Sequence, residues 1–313
     1  MSGKDTTHVL TTGIDGIRRA AAILRGGGLV AVPTETVYGL AARADSPEAV
    51  AAIYRAKGRP DFNPLIVHVT GPEQARALAQ MDARAELLAE RFWPGPLTLV
   101  MPIRPGACVA PAVTAGLPTI ALRCPAHPAV QALLRNTGLP LAAPSANRSG
   151  SISPTTAAHV LGGMEGRIEA VIDGGSSSQG LESTIVALRP EGWQLLRPGP
   201  VTLAELEEVL GSPPATSTGK IEAPGQLAQH YSPGKPVRLE ALAPRDDEFM
   251  IGFGKIAGDC NLAPDGDLAA AASRLYECLH MAASSAKRRI AVAPVPVEGM
   301  GAAINDRLAR AAA

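Results

Sequence analysis

The feature that most constrains this fold is a series of short apolar segments that alternate with helical patterns. Segments of this length, bounded by Pro, Gly and polar residues, are typical of buried strands. They lie at residues 29–33, 64–69, 96–101, 119–122, 140–144, 170–173, 183–188 and 193–196. Because strands that alternate with helices indicate an α/β architecture, the sequence predicts a twisted, mixed sheet covered by helices.

Several of the helix starts can be placed from the sequence. Ser46-Pro47 has the pattern of an N-cap followed by a first-turn proline, and that helix should end at Lys57-Gly58. His127-Pro128 and Ser153-Pro154 resemble this start and predict two more helices.

A change of composition divides the chain. Residues 211–235 are rich in Pro, Gly, Ser and Thr without apolar periodicity, as a linker or lid would be. We therefore predict a large α/β domain at 1–210 and a small Rossmann-like α/β domain at 236–313. In the second domain we expect strands at 248–254 and 290–297, and helices at 268–281 and 302–313.

Charge and cysteine content restrict the function classes. Lys and Arg (29) balance Asp and Glu (29), and aromatic residues make up 3%. A broad nucleic-acid surface normally needs a basic excess, so any positive field should be local. The 4 cysteines form no C-x-x-C pair, and no apolar run approaches the ~20 residues of a membrane span. The N-terminus lacks the pattern of a signal peptide. We expect a cytoplasmic protein without a membrane partner.

Common catalytic motifs are incomplete. Residues 217–220 (STGK) resemble the end of a phosphate-binding loop, but Ile221 stands where Ser or Thr would bind magnesium. The sequence has no metalloprotease, nucleophile-elbow or metal-spaced histidine motif.

Polar residues instead follow the predicted strands and helices. They are residues 34–40, Lys57, Arg59, Asn63, His68, Arg123, Ser145, Asn147, Ser183 and Arg197. Each has an ordinary explanation: Lys57 as a helix-end cation, His68 as a hydrogen-bonded core residue, Arg123 and Arg197 as surface ion pairs. Ser145 and Asn147 could equally be turn residues. Together they predict an anion-binding pocket, because ligands of α/β sheets bind at strand ends.

The motifs at these positions resemble the threonylcarbamoyl-AMP synthase family, in order and spacing, across residues 12–210. They read PTETVYGL, KGRP, NPLIVHV, WPGPLT, LRCPAHP, APSAN, DGG, ESTI and LLRPGP. The linker with HYSPG and the small C-terminal unit resemble the two-domain branch of that family. In one respect the chain departs from the family, whose linker often has basic residues before the His-Tyr pair, because residues 226–229 are uncharged.

The resemblance implies a large, positively charged cavity with two sets of binding residues. L-Threonine would be held by Thr36, His68, Arg123, Ser183 and the backbone of Ala143. ATP would be held by Lys57, Arg59, Asn63, Thr119, Ser145, Asn147, Ser153, Arg197, His230 and Tyr231. Lys57 would support either the phosphates or bicarbonate.

The resemblance also implies the reaction. L-Threonine, bicarbonate and ATP would give threonylcarbamoyl-AMP and pyrophosphate for tRNA modification. Magnesium would arrive with ATP rather than in a protein cage. Possible further partners are tRNA and the downstream threonylcarbamoyl transferase. The main alternative is an RNA-binding or translation-associated module that uses the same cavity. A second alternative is a maturation factor that acts on carbamoyl phosphate, but the cysteine pattern of such factors is absent.

Overall fold

The computed structural model describes residues 6–211, 222–223 and 231–313. A 10-stranded sheet occupies the first part of the chain. Its strands are β1 (His8–Thr11), β2 (Val30–Val32), β3 (Gly39–Arg43), β4 (Ile66–His68), β5 (Leu97–Pro102), β6 (Thr119–Arg123), β7 (Leu141–Ala142), β8 (Ala170–Asp173), β9 (Thr184–Arg189) and β10 (Gly192–Arg197). They lie in the order β1-β8-β2-β3-β7-β4-β6-β5-β9-β10. Because β4 and β6 are parallel whereas β5 and β6 are antiparallel, the predicted mixed sheet is confirmed.

Helices cover both faces of this sheet. They are α1 (Ile14–Arg25), α2 (Pro47–Lys57), α3 (Pro72–Leu78), α4 (Ala83–Phe92), α5 (Pro111–Thr114), α6 (Pro128–Thr137), α7 (Ala157–Met164) and α8 (Leu203–Leu210). Side chains of a strand alternate between faces. Accordingly, Leu40 packs into one hydrophobic core and its neighbour Ala41 into another. The central strands, such as β3, are therefore buried on both sides, and a polar site is expected at their ends.

Two of the three predicted helix starts are confirmed. The Ser46 side chain accepts a hydrogen bond from Ala49 N (3.2 Å), and His127 Nδ1 accepts one from Ala129 N (3.1 Å). The start at Ser153-Pro154 is wrong, because α7 begins at Ala157 with Thr156 as its N-cap. The Ser153 hydroxyl is buried and donates to a carboxylate elsewhere, so it cannot cap a helix.

The C-terminal part forms a 4-stranded sheet of parallel strands. Its strands are β11 (Val237–Arg238), β12 (Glu248–Gly252), β13 (Cys260–Asn261) and β14 (Arg289–Val292), in the order β11-β14-β12-β13, with helices α9 (Leu268–Ser284) and α10 (Met300–Ala312). The predicted small α/β unit is confirmed. The strand expected at 290–297 ends at Val292, because Pro294 and Pro296 have no N–H for the ladder.

The C-terminal unit packs onto loops of the large sheet. One hydrophobic core joins Val37, Ile152 and Leu181 of the first unit to β12, β14 and α9. Most of the predicted linker at 211–235 lies outside the described residues, so the domain boundaries remain predictions. Among the described residues, no helix combines the length and the apolar character that a membrane crossing requires.

Candidate active site

Strand ends and loops of the large sheet enclose a polar cavity. Its lining residues are Thr34, Thr36, Val37, Gly39, Arg59, Ile66, His68, Arg123, Ala143, Pro144, Ser145, Glu182, Ser183, Arg197 and Tyr231. Many of them belong to the segments that the sequence singled out. We expected a large cavity, but its free volume is about 40 Å³ in this conformation.

Arg123 and His68 lie side by side because their strands are parallel and in register. The guanidinium of Arg123 donates to Thr36 Oγ1 (2.8 Å) and to Gly95 O (3.1 Å). It also pairs with Glu35 Oε1 at 2.6 Å. The residue is 4% exposed, so this is a buried, oriented cation rather than the surface ion pair that the sequence left open.

Glu35 lies in the polar segment 34–40, but sequence reasoning assigned it no role of its own. Its second carboxylate oxygen accepts from Ala126 N at 3.0 Å. Burial alone would raise the pKa of Glu35, but Arg123 and these hydrogen bonds lower it below its ordinary value. The only feature of the sequence that pointed to a role for Glu35 was its position between Thr34 and Thr36. Since the carboxylate stays charged, it fixes the orientation of Arg123.

His68 is a buried imidazole with spare hydrogen-bonding capacity. Within the part of the chain that the structure describes, its Nδ1 has no hydrogen-bond partner. Burial lowers the pKa of His68 far below its ordinary value, and the nearby charge of Arg123 lowers it further. A neutral ring that lines the cavity and has an unsatisfied nitrogen is suited to a polar ligand, because such a buried group is otherwise costly.

Arg197 and Ser183 also line the cavity. Arg197 Nε donates to Ser183 O (3.0 Å) and Nη2 donates to Ser183 Oγ (3.1 Å). Ser183 Oγ is also 2.7 Å from Thr98 Oγ1. A bulge between Leu195 and Arg197 interrupts the alternation of β10, which commonly redirects a side chain at a strand end.

Lys57 and the loop after β7 are joined directly. Lys57 Nζ donates to Ser145 O (2.6 Å) and to Asn147 O (2.5 Å). The Asn147 amide in turn donates to Arg148 O and Ser151 O, both at 2.8 Å. The structure thus brings together two of the motifs that carried the resemblance, KGRP and APSAN. Burial and the charge of nearby Arg59 lower the pKa of Lys57 well below its ordinary value.

Arg59 reaches the cavity from the end of α2. Its guanidinium donates to Asn63 O (3.2 Å) and Pro64 O (2.9 Å). Burial, with a contribution from Arg197, lowers the pKa of Arg59 to about 10, so it remains a cation at neutral pH. Asn63 lies buried beneath it, and Asn63 Oδ1 has no hydrogen-bond partner among the described residues.

Glu182 is the second acidic residue that sequence reasoning missed. It accepts a hydrogen bond from Ser153 Oγ at 2.5 Å, which ties this predicted ATP residue to the cavity wall. Burial alone would raise the pKa of Glu182, but Arg307, Arg197 and its hydrogen bonds lower it to about 2. Its only sequence signal was its place in the ESTI motif.

The remaining predicted residues lie in different places. Tyr231 lines the cavity, whereas Asn147 lines a neighbouring groove. Thr119 begins β6, about 13 Å along the strand from Arg123, and does not line the cavity. His230 lies outside the described residues.

The electrostatics of the cavity favour anions. Arg59, Arg123 and Arg197 line it. The lining residue Glu182 and the nearby Glu35 are each paired with an arginine. No cluster of three or more His, Cys, Asp or Glu that could hold a metal occurs among the described residues. The arrangement can bind and orient carboxylates and phosphates, because guanidinium groups match both in a bidentate manner.

Family models match most of the chain. Residues 22–199 match a family described as "Telomere recombination". Residues 201–313 match a family described as "Threonylcarbamoyl-AMP synthase, C-terminal domain".

Individual proteins resemble the chain over most of its length. Threonylcarbamoyl-AMP synthase of Bacillus subtilis (strain 168) is 45% identical over 254 residues, which cover 79% of this chain and 73% of the relative. That of Pyrococcus abyssi is 47% identical over 237 residues, covering 74% and 69%. The crystal structure of P. abyssi Sua5 complexed with L-threonine has a TM-score of 0.88 at 37% identity, covering 98% of this chain and 97% of that one. The likeness therefore extends over both sheets.

Proposed function

The chain belongs to the threonylcarbamoyl-AMP synthase family, and from this premise we propose that its cavity joins L-threonine, bicarbonate and ATP into threonylcarbamoyl-AMP and pyrophosphate. The main support is the cluster of Arg59, Arg123 and Arg197 around a neutral His68. Three anionic groups must meet in this reaction: the carboxylate of threonine, the carbamate and the triphosphate. Several oriented cations at one site meet that need.

We propose that L-threonine binds between β4, β6 and the start of β9. Its carboxylate would pair with Arg123, which Glu35 and Thr36 hold in place. His68 Nδ1 and Ser183 would hydrogen-bond the polar groups of threonine, and the backbone of Ala143 would contact it. A solved structural neighbour, P. abyssi Sua5, is complexed with L-threonine, which supports this substrate.

We propose that ATP binds beside threonine, with its phosphates against Arg59 and Arg197. Ser145, Asn147 and Ser153 would contact the nucleotide, with Tyr231 and His230 closing over it. Lys57 would act through the loop that it holds, because its amino group already donates to two carbonyls there. Asn63 supports Arg59, while a contact from Thr119 would require an extended nucleotide.

In the proposed reaction, the amine of threonine takes up bicarbonate with loss of water and gives a carbamate. A carbamate oxygen then attacks the α-phosphorus of ATP, the bond to the β-phosphate oxygen breaks, and pyrophosphate leaves. The enzyme is thus a nucleotidyltransferase. Phosphoryl transfer depends mainly on positioning and charge stabilisation, which fits a site without an activated nucleophile. Arg59 and Arg197 would stabilise the charge that develops on the phosphates.

Magnesium is proposed to enter with ATP. The donor set fits this view, because Glu35 and Glu182 are both engaged by arginines and hydrogen bonds. A metal held mainly by phosphates and water needs no dedicated carboxylates. The metal would neutralise part of the triphosphate charge, and the arginines would orient the triphosphate.

The product is proposed to serve tRNA modification in the cytoplasm. Threonylcarbamoyl-AMP is a mixed anhydride and can pass its threonylcarbamoyl group to an amine of a nucleobase. Direct contact with tRNA or with the downstream transferase is part of this proposal.

The test is pyrophosphate release by the purified chain with magnesium, omitting threonine, bicarbonate or ATP one at a time. We expect release only when all three are present, weak release with serine, and a product of the mass of threonylcarbamoyl-AMP. Release that needs neither threonine nor bicarbonate would contradict the proposal. Salt-sensitive RNA binding without turnover would favour the alternative of an RNA-binding module.

A further inference from the structure

Glu182 connects the cavity to the C-terminal unit. Its Oε1 accepts from Ser153 Oγ (2.5 Å) and from Tyr276 Oη (3.0 Å). Its Oε2 accepts from Tyr276 Oη (2.8 Å) and from Arg307 Nε (2.9 Å). Glu182 lines the cavity, whereas Tyr276 and Arg307 belong to α9 and α10. Both oxygens of this carboxylate are therefore held by residues from outside the large sheet.

Arg307 is the centre of this junction. It is completely buried, with an exposure of 0%. Besides Glu182, it pairs with Asp306 (2.7 Å) and donates to Pro198 O (3.0 Å). The ring of Tyr231 lies with its centroid 5.5 Å from the guanidinium carbon of Arg307, close enough for a cation–π interaction. Arg307 thus contacts Tyr231, which lines the cavity, and Pro198, which follows the lining residue Arg197.

A purely structural role explains this arrangement poorly. Burying an ion pair removes two charges from water, and well-packed apolar residues often stabilise a fold equally well. Burial lowers the pKa of Arg197, and the nearby positive charge of Arg307 lowers it further. The carboxylate of the buried Glu182–Arg307 pair also accepts a hydrogen bond from Ser153. We take this as a sign that the pair serves to orient Ser153 more than to stabilise the fold.

We propose that Arg307 and Tyr276 are positioning residues of the active site, and that they act through Glu182 on the nucleotide-binding half of the cavity. Glu182 fixes the rotamer of Ser153, and Arg307 holds the ring of Tyr231 over the cavity. The C-terminal unit thereby orients residues of the ATP site, although Tyr276 and Arg307 do not themselves contact the substrate. This inference rests on the proposed function, which places Ser153 and Tyr231 at ATP.

The inference predicts a selective defect. Arg123 and His68, which are proposed to hold threonine, are oriented by Glu35 and by the register of the large sheet. Loss of the junction should therefore weaken ATP use and leave threonine binding nearly unchanged. Simple loosening of the fold would weaken both.

The first variant pair separates orientation from stability. Arg307→Met leaves Glu182 buried and unpaired, which should destabilise the chain. The double variant Glu182→Gln/Arg307→Met removes both charges and should recover most of the thermal stability. We expect the double variant to keep a KM for ATP raised at least about tenfold, the effect of losing one or two oriented hydrogen bonds. Its affinity for L-threonine, measured by calorimetric titration, should stay within about threefold of wild type.

A milder variant keeps the test decisive if the double variant does not fold. Tyr276→Phe removes one hydroxyl that donates to Glu182 and keeps the ring in its core. It should raise the KM for ATP several-fold without changing threonine affinity. Arg310→Met is the matched control, because Arg310 lies one turn from Arg307 on α10 and forms an ion pair with Asp306. Its kinetics should match wild type.

The inference is overturned if the double variant regains a wild-type KM for ATP along with its stability. It is also overturned if threonine and ATP affinities fall together in Tyr276→Phe. The wild-type chain in the same assay tests the proposed function separately. If wild type releases no threonine-dependent pyrophosphate, the proposed function fails. Calorimetric titration with ATP, which requires no turnover, would then still compare the variants.

Discussion

Arg59 is a buried cation without an acidic partner among the described residues. Carbonyl oxygens of Asn63 and Pro64 orient its guanidinium, and it remains protonated at neutral pH. We predict that Arg59→Ala lowers threonine-dependent pyrophosphate release by about 100-fold or more, as expected for loss of a preorganised charge at a phosphoryl-transfer site. Steady-state kinetics would measure the effect.

The control for this variant is Arg55→Ala. Arg55 lies on α2, one turn earlier, and is exposed. It should retain wild-type activity. Activity of Arg59→Ala equal to that of Arg55→Ala would contradict the assignment of Arg59 to ATP.

His68 gives a second prediction at this scale. Its Nδ1 is buried without a partner in the described part of the chain, so a ligand group should complete its hydrogen bonding. His68→Ala should weaken L-threonine binding by about tenfold, the usual effect of one hydrogen bond. ATP affinity should change little. Calorimetric titration with each ligand would measure both, and an unchanged threonine affinity would refute the role of His68.

Single residues also show what the sequence could predict. Arg123 and His68 were recognisable because each ends an apolar segment, and register places them together. The role of Glu182 was not recognisable from the sequence, because its partner Arg307 is 125 positions away along the chain. A local pattern predicts the chemistry of a strand end, but it cannot identify a long-range partner.

At the scale of elements, buried strands were the best predicted. Each predicted segment of the large sheet contains a strand, whereas β1 and β3 were missed. β1 is mostly exposed, and β3 contains the sequence GLAAR, whose alanines do not indicate a strand. Both depend on neighbours in the sheet for their conformation, and such tertiary pairing has no local signal.

The loop before β9 gives a prediction about an element. Gly180 has a φ of +65°, and a Cβ there would lie 2.3 Å from Ser273 O on α9. Gly180→Ala should therefore force the loop and α9 apart and displace Glu182. Gly175→Ala is the matched control, since Gly175 has a φ of +77° with nothing within 4 Å of its Cβ.

The two glycine variants should differ in stability. Gly175→Ala should cost about 1 kcal/mol, the usual cost of a left-handed alanine. Gly180→Ala should cost about 1–3 kcal/mol more because of the clash. Chemical denaturation would measure both, and equal costs would mean that α9 does not constrain this loop.

At the scale of the whole molecule, the sequence predicted two α/β units but not how they meet. Their contact consists of residues from distant parts of the chain, including a stacked pair of histidines from α7 and α9. The rings of His159 and His280 have centroids 3.8 Å apart and planes inclined by 19°. Neither histidine belongs to a motif. The two units dock through surfaces that form only when the chain is folded, so a local sequence pattern cannot predict their contact.

This histidine pair should make stability depend on pH. Burial and the neighbouring His159 lower the pKa of His280 from 6.5 to about 4, although a hydrogen bond with Ser153 O opposes the shift. Between about pH 6.5 and about pH 4, His280 is protonated in the unfolded chain but neutral in the folded chain. The free energy of unfolding should therefore fall as the pH drops from about 6.5 to about 4.

Comparison of His280→Gln with wild type would measure this contribution. Because the ring is partly exposed and Arg148 and Arg310 line the same groove, we expect a modest effect. Wild type should lose about 1 kcal/mol more than the variant between about pH 6.5 and about pH 5. This range lies above the titration of most carboxylates, so their contribution should be small. His8→Gln, which changes an exposed histidine on β1, should follow wild type. If His280→Gln shows the full wild-type loss, the histidine pair does not link the docking of the two units to pH.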